Sequence, residues 1–197
     1  MATRLSVDQL LWVANTRHGP AAHWHARVAL DGPDHDHLAD PQEAQAYLGA
    51  HHVPLPDGLP RPRDLARLAV VRESVRGLLT AEAPALTPDL AQLIAQARFR
   101  VAVGGGLESA APGWAGLVED LVLPYLTLVE LRDRLRSCGN PLCRLVFVDQ
   151  SKGHSRRWCD SGGCGNRVRV ARHRHAAMDR HRTDRHASSK RALDVSA

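Results

Sequence analysis

The sequence predicts an α+β fold: a mainly helical N-terminal domain with a β-hairpin, then a C-terminal four-cysteine module built from a β-hairpin and a basic helix. Three observations predict it. Apolar residues recur at helical spacing through residues 65–79 and 114–135, while alternation is confined to short runs. All four cysteines of the 197-residue chain fall between Cys138 and Cys164, in two C-x4-C pairs. Charge divides at nearly the same place: residues 151–197 carry 12 Lys or Arg against 4 Asp, a net +8, which leaves residues 1–150 at −3.

A chain of this length holds one ordinary domain plus a small module, and 44% hydrophobic residues suffice for a core. With 4 Trp, 2 Tyr and 2 Phe, that core must be mostly aliphatic. The N-terminus reads as neither a signal peptide nor a membrane span, so the expected location is the cytoplasm, with no membrane partner. In a reducing compartment, paired cysteines are metal ligands more often than disulfides.

Ser6-x-x-Gln9 reads as a capping box before a first helix with Leu10, Leu11, Val13 and Ala14 inward. Trp24 to Leu30 alternates weakly and suggests at most one short strand. Asp40-Pro41-Gln42-Glu43 starts a second helix, which buries Ala44, Tyr47 and Leu48. Beyond a proline-rich connection, Leu65, Leu68, Val71, Arg72, Val75, Leu78 and Leu79 define a third, in which a buried Arg72 would need a partner. Thr87-Pro88-Asp89 caps a fourth, through Ala97. Arg98–Val103 and Leu107–Ala110 then read as a hairpin with Phe99, Val101 and Val103 on one face. The triple glycine between them lacks the Lys-Ser/Thr of a phosphate loop and serves as the turn. The last long pattern runs from Trp114 to Leu135 and should kink or divide at Pro124.

Random placement would gather four cysteines into so short a window in roughly one chain in a hundred. C-x4-C is a spacing at which a tight turn brings two thiolates onto one tetrahedral zinc. Cys138, Cys143, Cys159 and Cys164 are therefore the expected ligands of one structural Zn2+, with no open position for catalysis. Between the pairs, Arg144–Asp149 is expected to be a strand, Gln150–His154 a turn and Ser155–Trp158 the return. His154 is read as a turn residue rather than a ligand, and Trp158 as packing rather than a base-stacking surface. Asn166 can cap a following helix with Val168, Ala171, His175 and Met178 on one side and Arg167, Arg169, Arg172, Arg174, Arg180 and Arg182 around them. Such a helix suits phosphates; the competing reading is a solvated basic tail.

The run from Arg134 to His175 resembles the CGNR zinc finger, with Cys138-x4-Cys143, Phe147-x-Asp149, Arg156-Arg157-Trp158-Cys159 and Cys164-Gly165-Asn166-Arg167. In that family the finger closes proteins whose N-terminal part is the ABATE domain. Residues 5–137 resemble it more loosely, with Leu11-Trp12-Val13-Ala14 where the family shows a Leu-Asp-Phe-like run before Asn15-Thr16, so that one acidic position is absent. The resemblance implies zinc on the four cysteines, a basic segment that touches DNA, and a bacterial stress-induced regulator of transcription.

His18, His23, His25, His35 and His37 crowd one stretch with Asp34 and Asp36, but their spacings fit no helix face or established metal motif, and they read as loop histidines. No catalytic motif is visible, so the chain is not expected to be an enzyme. The resulting expectation is three regions: an ABATE-like domain at 1–137, a finger with basic helix at 138–182, and a disordered tail at 183–197. The leading function is a zinc-binding, DNA-binding regulator at the nucleoid, with Arg156, Arg157, Arg167, Arg169, Arg172 and Arg174 on double-stranded DNA. Its N-terminal domain would dimerise or sense a small-molecule effector. The alternatives are a zinc-stabilised protein interaction module and an RNA-binding protein.

Overall fold

In the computed structural model, described for residues 5–20, 34–81, 86–103, 105–174, 176 and 178, the helices begin where local chemistry places them. Helix α1, Val7–Ala14, opens on a capping box: the Ser6 hydroxyl accepts from the Gln9 N–H at 3.2 Å, and the Gln9 side chain accepts from the Ser6 N–H at 2.8 Å. Helix α2, Pro41–Ala50, is capped by Asp40, whose carboxylate accepts from the Glu43 N–H at 2.9 Å. Helix α3 spans Pro62–Gly77, and α4, Pro88–Gln96, starts on Thr87. The last long pattern divides at Leu121 into α5, Gly113–Asp120, and α6, Val122–Glu130. Pro124 then sits in the first turn of α6, where its missing N–H is tolerated.

Three antiparallel ribbons connect these helices. Strands β1, Arg17–His18, and β2, His35–Asp36, pair with His18 opposite His35. Strands β3, Phe99–Val101, and β4, Leu107–Ser109, form the expected hairpin. Its predicted apolar face is not seated: Phe99 is half-buried, but Val101 is 75% exposed and Val103 fully so. Only the base of the ribbon is docked, because the Ser109 N–H and hydroxyl donate to Asp120 and Glu119 of α5.

The finger's hairpin differs from expectation. Strand β6, Val146–Val148, pairs with β5, Leu135–Ser137, and not with residues 155–158. Helix α6 stops at Glu130, a 3-10 turn at Arg132–Arg134 redirects the chain, and Leu135 joins a strand rather than extending the helix. The returning segment has other partners: the Arg156 N–H donates to the Asp149 carboxylate at 2.9 Å, and the Gly139 N–H donates to the Arg157 carbonyl at 2.8 Å.

Contacts divide the chain into two compact units, Met1–Cys159 and Asp160–Ala197. The first has a single core, which takes in Leu10 and Val13 of α1, Leu68, Val71 and Val75 of α3, Val118 of α5 and Leu128 of α6, together with Leu135, Val146 and Val148 of the β5–β6 ribbon. Each fully buried leucine contributes on the order of 2 kcal/mol, so the ribbon is held by the same force as the helices. Arg72 is 5% exposed within this core. It has the partners that burial demands: Asp36 at 2.6 Å and Glu73 at 2.8 Å. The second unit is helical at 166–174 and at 176 and 178. Among the described residues, no helix is long and apolar enough to cross a membrane. The expected strand at Trp24–Leu30, His23, His25, the side chain of His175, Arg180, Arg182 and the 183–197 tail lie outside the described residues.

Candidate metal centre

The first cysteine pair caps the β5–β6 ribbon. The Cys138 N–H donates to the Leu145 carbonyl at 2.8 Å, continuing the ladder past Ser137. Asn140 closes the turn: its side-chain oxygen accepts from the Leu142 N–H at 3.1 Å and its carbonyl from the Cys143 N–H at 2.9 Å. Gly139 is required by close packing, since a Cβ there would lie 3.0 Å from the Arg157 carbonyl oxygen and 3.1 Å from the Trp158 ring.

Residues far away in sequence then fix this turn. Asn15, at the end of α1, uses its side-chain amide as a strand would: it donates to the Val146 carbonyl at 2.9 Å and accepts from the Val146 N–H at 2.7 Å, fully buried. The Gly19 N–H donates to the Cys143 carbonyl at 2.9 Å, and a Cβ on Gly19 would stand 2.2 Å from the Leu142 oxygen. The Arg76 guanidinium reaches the Arg144 carbonyl at 3.1 Å.

The second pair is organised by its own loop. Asp160 directs its carboxylate at the N–H groups of Gly162 and Gly163, at 3.1 and 2.8 Å, and its carbonyl accepts from the Gly165 N–H at 3.0 Å. Ser161–Gly165 thus makes a single π-turn that leads into the helix at 166.

The sulfur atoms of Cys143 and Cys159 are 3.6 Å apart, and the four sulfurs lie within 4.8 Å of one another. A tetrahedron with metal–sulfur bonds of about 2.3 Å separates its sulfurs by about 3.8 Å. None of the four is in a disulfide; Cys138, Cys143 and Cys164 are buried and Cys159 is half-buried. Four clustered thiols, three of them out of solvent, fit a bound metal ion that takes soft ligands, and such a set leaves no coordination position open.

The candidate nucleic-acid residues fall into two groups. Arg156 folds back: it donates to the carbonyls of Trp158 and Cys159 and lies 4.9 Å from the Phe147 ring. Arg157 lies over the Trp158 ring at 5.6 Å. Arg169, Arg172 and Arg174 are exposed along the helix that follows Gly165, Arg167 is half-buried, and Arg169 also donates to the Ser161 carbonyl at 3.3 Å. His154 is an exposed turn residue with φ of 50°, as its turn reading requires, and Trp158 is half-buried against Gly139.

Sequence reasoning gave no role to Asn15, Gly19, Asp149 or Asp160. Asp149, buried in the loop between the pairs, accepts from the N–H groups of Ser151 and Arg156 at 2.8 and 2.9 Å. Its Ser151 hydrogen bond holds the carboxyl below the usual carboxylate range against the opposing effect of burial. Asn15 and Asp149 stand in the patterns Asn15-Thr16 and Phe147-x-Asp149 without a stated role, Asp160 before Gly162-Gly163 carries the local signal of an acidic residue before a glycine turn, and nothing local marks Gly19.

Ribbon, turns and thiol cluster together define a four-cysteine finger protein. The chain belongs to the ABATE family, described as "putative stress-induced transcription regulator", whose family model matches residues 11–126. The CGNR zinc finger matches residues 134–177. No curated protein matches the chain.

Proposed function

We propose that this protein is a zinc-dependent, DNA-binding regulator of transcription, with one structural Zn2+ on Cys138, Cys143, Cys159 and Cys164. The observation that carries the reading is the direct passage from the last cysteine into a helix whose Arg169, Arg172 and Arg174 are exposed. When bound, zinc supplies a closed tetrahedral crosslink, and the chemistry of the site is structural rather than catalytic. Arg167, Arg169, Arg172 and Arg174 contact phosphates or base edges in the groove, while Arg156 and Arg157 stiffen the finger and meet the backbone beside it. The family match supports a regulatory role, and the N-terminal domain carries the signal, through an effector or a second copy of the chain. In this reading the chain works in the cytoplasm, at the nucleoid, and has no catalytic step of its own.

Selection from random duplex DNA at moderate salt, beside a Cys164→Ser control, tests it. The expected result is one recovered motif, absent from the control, bound roughly a thousandfold above bulk DNA. Neutralising four phosphates should give a log-log salt slope near about −3.6. Recovery of no motif would remove the sequence-specific regulator. Preferential capture of structured RNA or of an acidic protein surface would redirect the same helix to the alternative partners.

A further inference from the structure

His18, His35 and His37, whose spacings fit no established metal motif, converge in the fold. Strand β2 and the turn after it carry His35 and His37, and the first turn of α2 brings Glu43 to them. The Nε2 of His35 lies 3.2 Å from the Glu43 Oε2, and the Nδ1 of His37 lies 4.0 Å from the same oxygen. One ligand atom from each of the three falls within 4.8 Å of the others. Two imidazoles and a carboxylate at bonds of about 2.0–2.1 Å would stand about 3.3 Å apart around a tetrahedral ion, so small side-chain adjustments close the set.

The surroundings select the right face of His37. His18, across the β1–β2 ladder, is 2% exposed. Its Nδ1 lies 3.0 Å from the Gly19 carbonyl, which can only accept, so Nδ1 carries the proton. The His18 Nε2 lies 3.1 Å from the His37 Nε2, so the two rings are joined through these atoms. That contact turns the other ring nitrogen of His37, Nδ1, toward Glu43. A ligating histidine is commonly fixed in this manner by a hydrogen bond from its other nitrogen. Tyr47 stacks on His37 with ring centroids 4.1 Å apart and an interplanar angle of 22°, which sets the plane of the ring. The neighbouring carboxylates are committed elsewhere: Asp36 to Arg72 and Asp34 to Arg144, each at 2.6 Å.

We propose that His35, His37 and Glu43 form a second metal site, separate from the four cysteines, for a divalent ion of borderline softness such as zinc or cobalt. The nitrogen and oxygen donors suit that class and not calcium or magnesium. His35 and Glu43 are solvent-exposed and the set supplies three ligands, so water completes the sphere and the ion exchanges readily. His18 is a positioning residue that acts through His37.

Equilibrium dialysis of the tag-free full chain against zinc, with the four-cysteine centre already loaded, tests the site. The expected uptake is about one zinc per chain beyond that centre, weakened at least about tenfold by either His35→Gln or Glu43→Gln. Both side chains are roughly half exposed, at 45% and 49%, so both variants should keep the wild-type circular dichroism and melting profile. Cobalt separates the two centres, because thiolate ligands give intense charge-transfer absorption and nitrogen and oxygen ligands do not. A wild-type chain that takes up no second ion overturns the proposal. So does a second ion retained in full by both variants, or one that shows thiolate charge transfer.

Discussion

Cys138–Cys143 and Cys159–Cys164 share a spacing, but different kinds of contact hold them. The first pair is the tip of a ribbon whose strands lie in the main core, and Asn15, Gly19 and Arg76 grip it through backbone atoms from more than sixty residues away. The second pair is ordered by its neighbours in sequence: Asp160 with three nearby glycine N–H groups, and Arg156, which donates to the Cys159 carbonyl. Equal spacing therefore does not mean equal support. A pair seated on a core is shaped before metal arrives, whereas a pair held by a local loop depends on the metal for most of its order.

Loss of a ligand should have the largest effect, because a structural metal in a small module is worth on the order of 10 kcal/mol. Cys143→Ser is expected to abolish the thiolate-type cobalt spectrum and to remove hydrogen-exchange protection from the second pair's loop, while β5 and β6 keep part of theirs. Equal loss over both pairs would break the comparison. Next comes Asn15→Ala, which leaves a buried N–H and a buried carbonyl of Val146 unpaired and should cost about 2–4 kcal/mol in denaturant unfolding. Asp160→Ala is the matching cut in the second pair, and its solvated loop should lose only about 1 kcal/mol.

The glycines sharpen the contrast at single-atom level. A Cβ on Gly19 would lie 2.2 Å from a backbone oxygen, while one on Gly162 meets nothing nearer than 3.8 Å. Gly19→Ala should therefore destabilise by about 1–3 kcal/mol and Gly162→Ala by less than about 0.5 kcal/mol, as read from melting curves. The smallest effect belongs to acid acting on the body alone. Burial pushes the Asp36 carboxyl up, but its bonds to Arg72 and the Leu38 N–H and the charges of Arg72 and Arg17 outweigh that, so its folded pKa lies below 3.8. Its contribution is present above that value and is lost as the pH falls through the lower folded one. Asp36→Asn should flatten the acid limb of stability below about pH 4, measured on metal-free protein so that protonation of the thiols does not intervene.

Much of the architecture was legible because its signals are local. Ser6 with Gln9, Asp40 with Pro41, and Thr87 with Pro88 each mark a helix start through atoms within four residues, and each is found where its pattern falls. The cysteine spacing was equally local, and the four thiols do converge. The strand partner of Val146–Val148 was not legible, because Leu135 satisfies a helical period and a strand alternation equally well. Only the turn at Arg132–Arg134 decides between them.

The sequence by itself determined the helix starts, the division of charge and which thiols cluster, since capping, charge and cysteine spacing act over a few bonds. The tertiary structure decided what grips each cysteine pair and what gathers around His37. Asn15 meets Val146 across 131 residues and His18 meets His37 across nineteen, and no short window of sequence records a hydrogen bond that only folding creates.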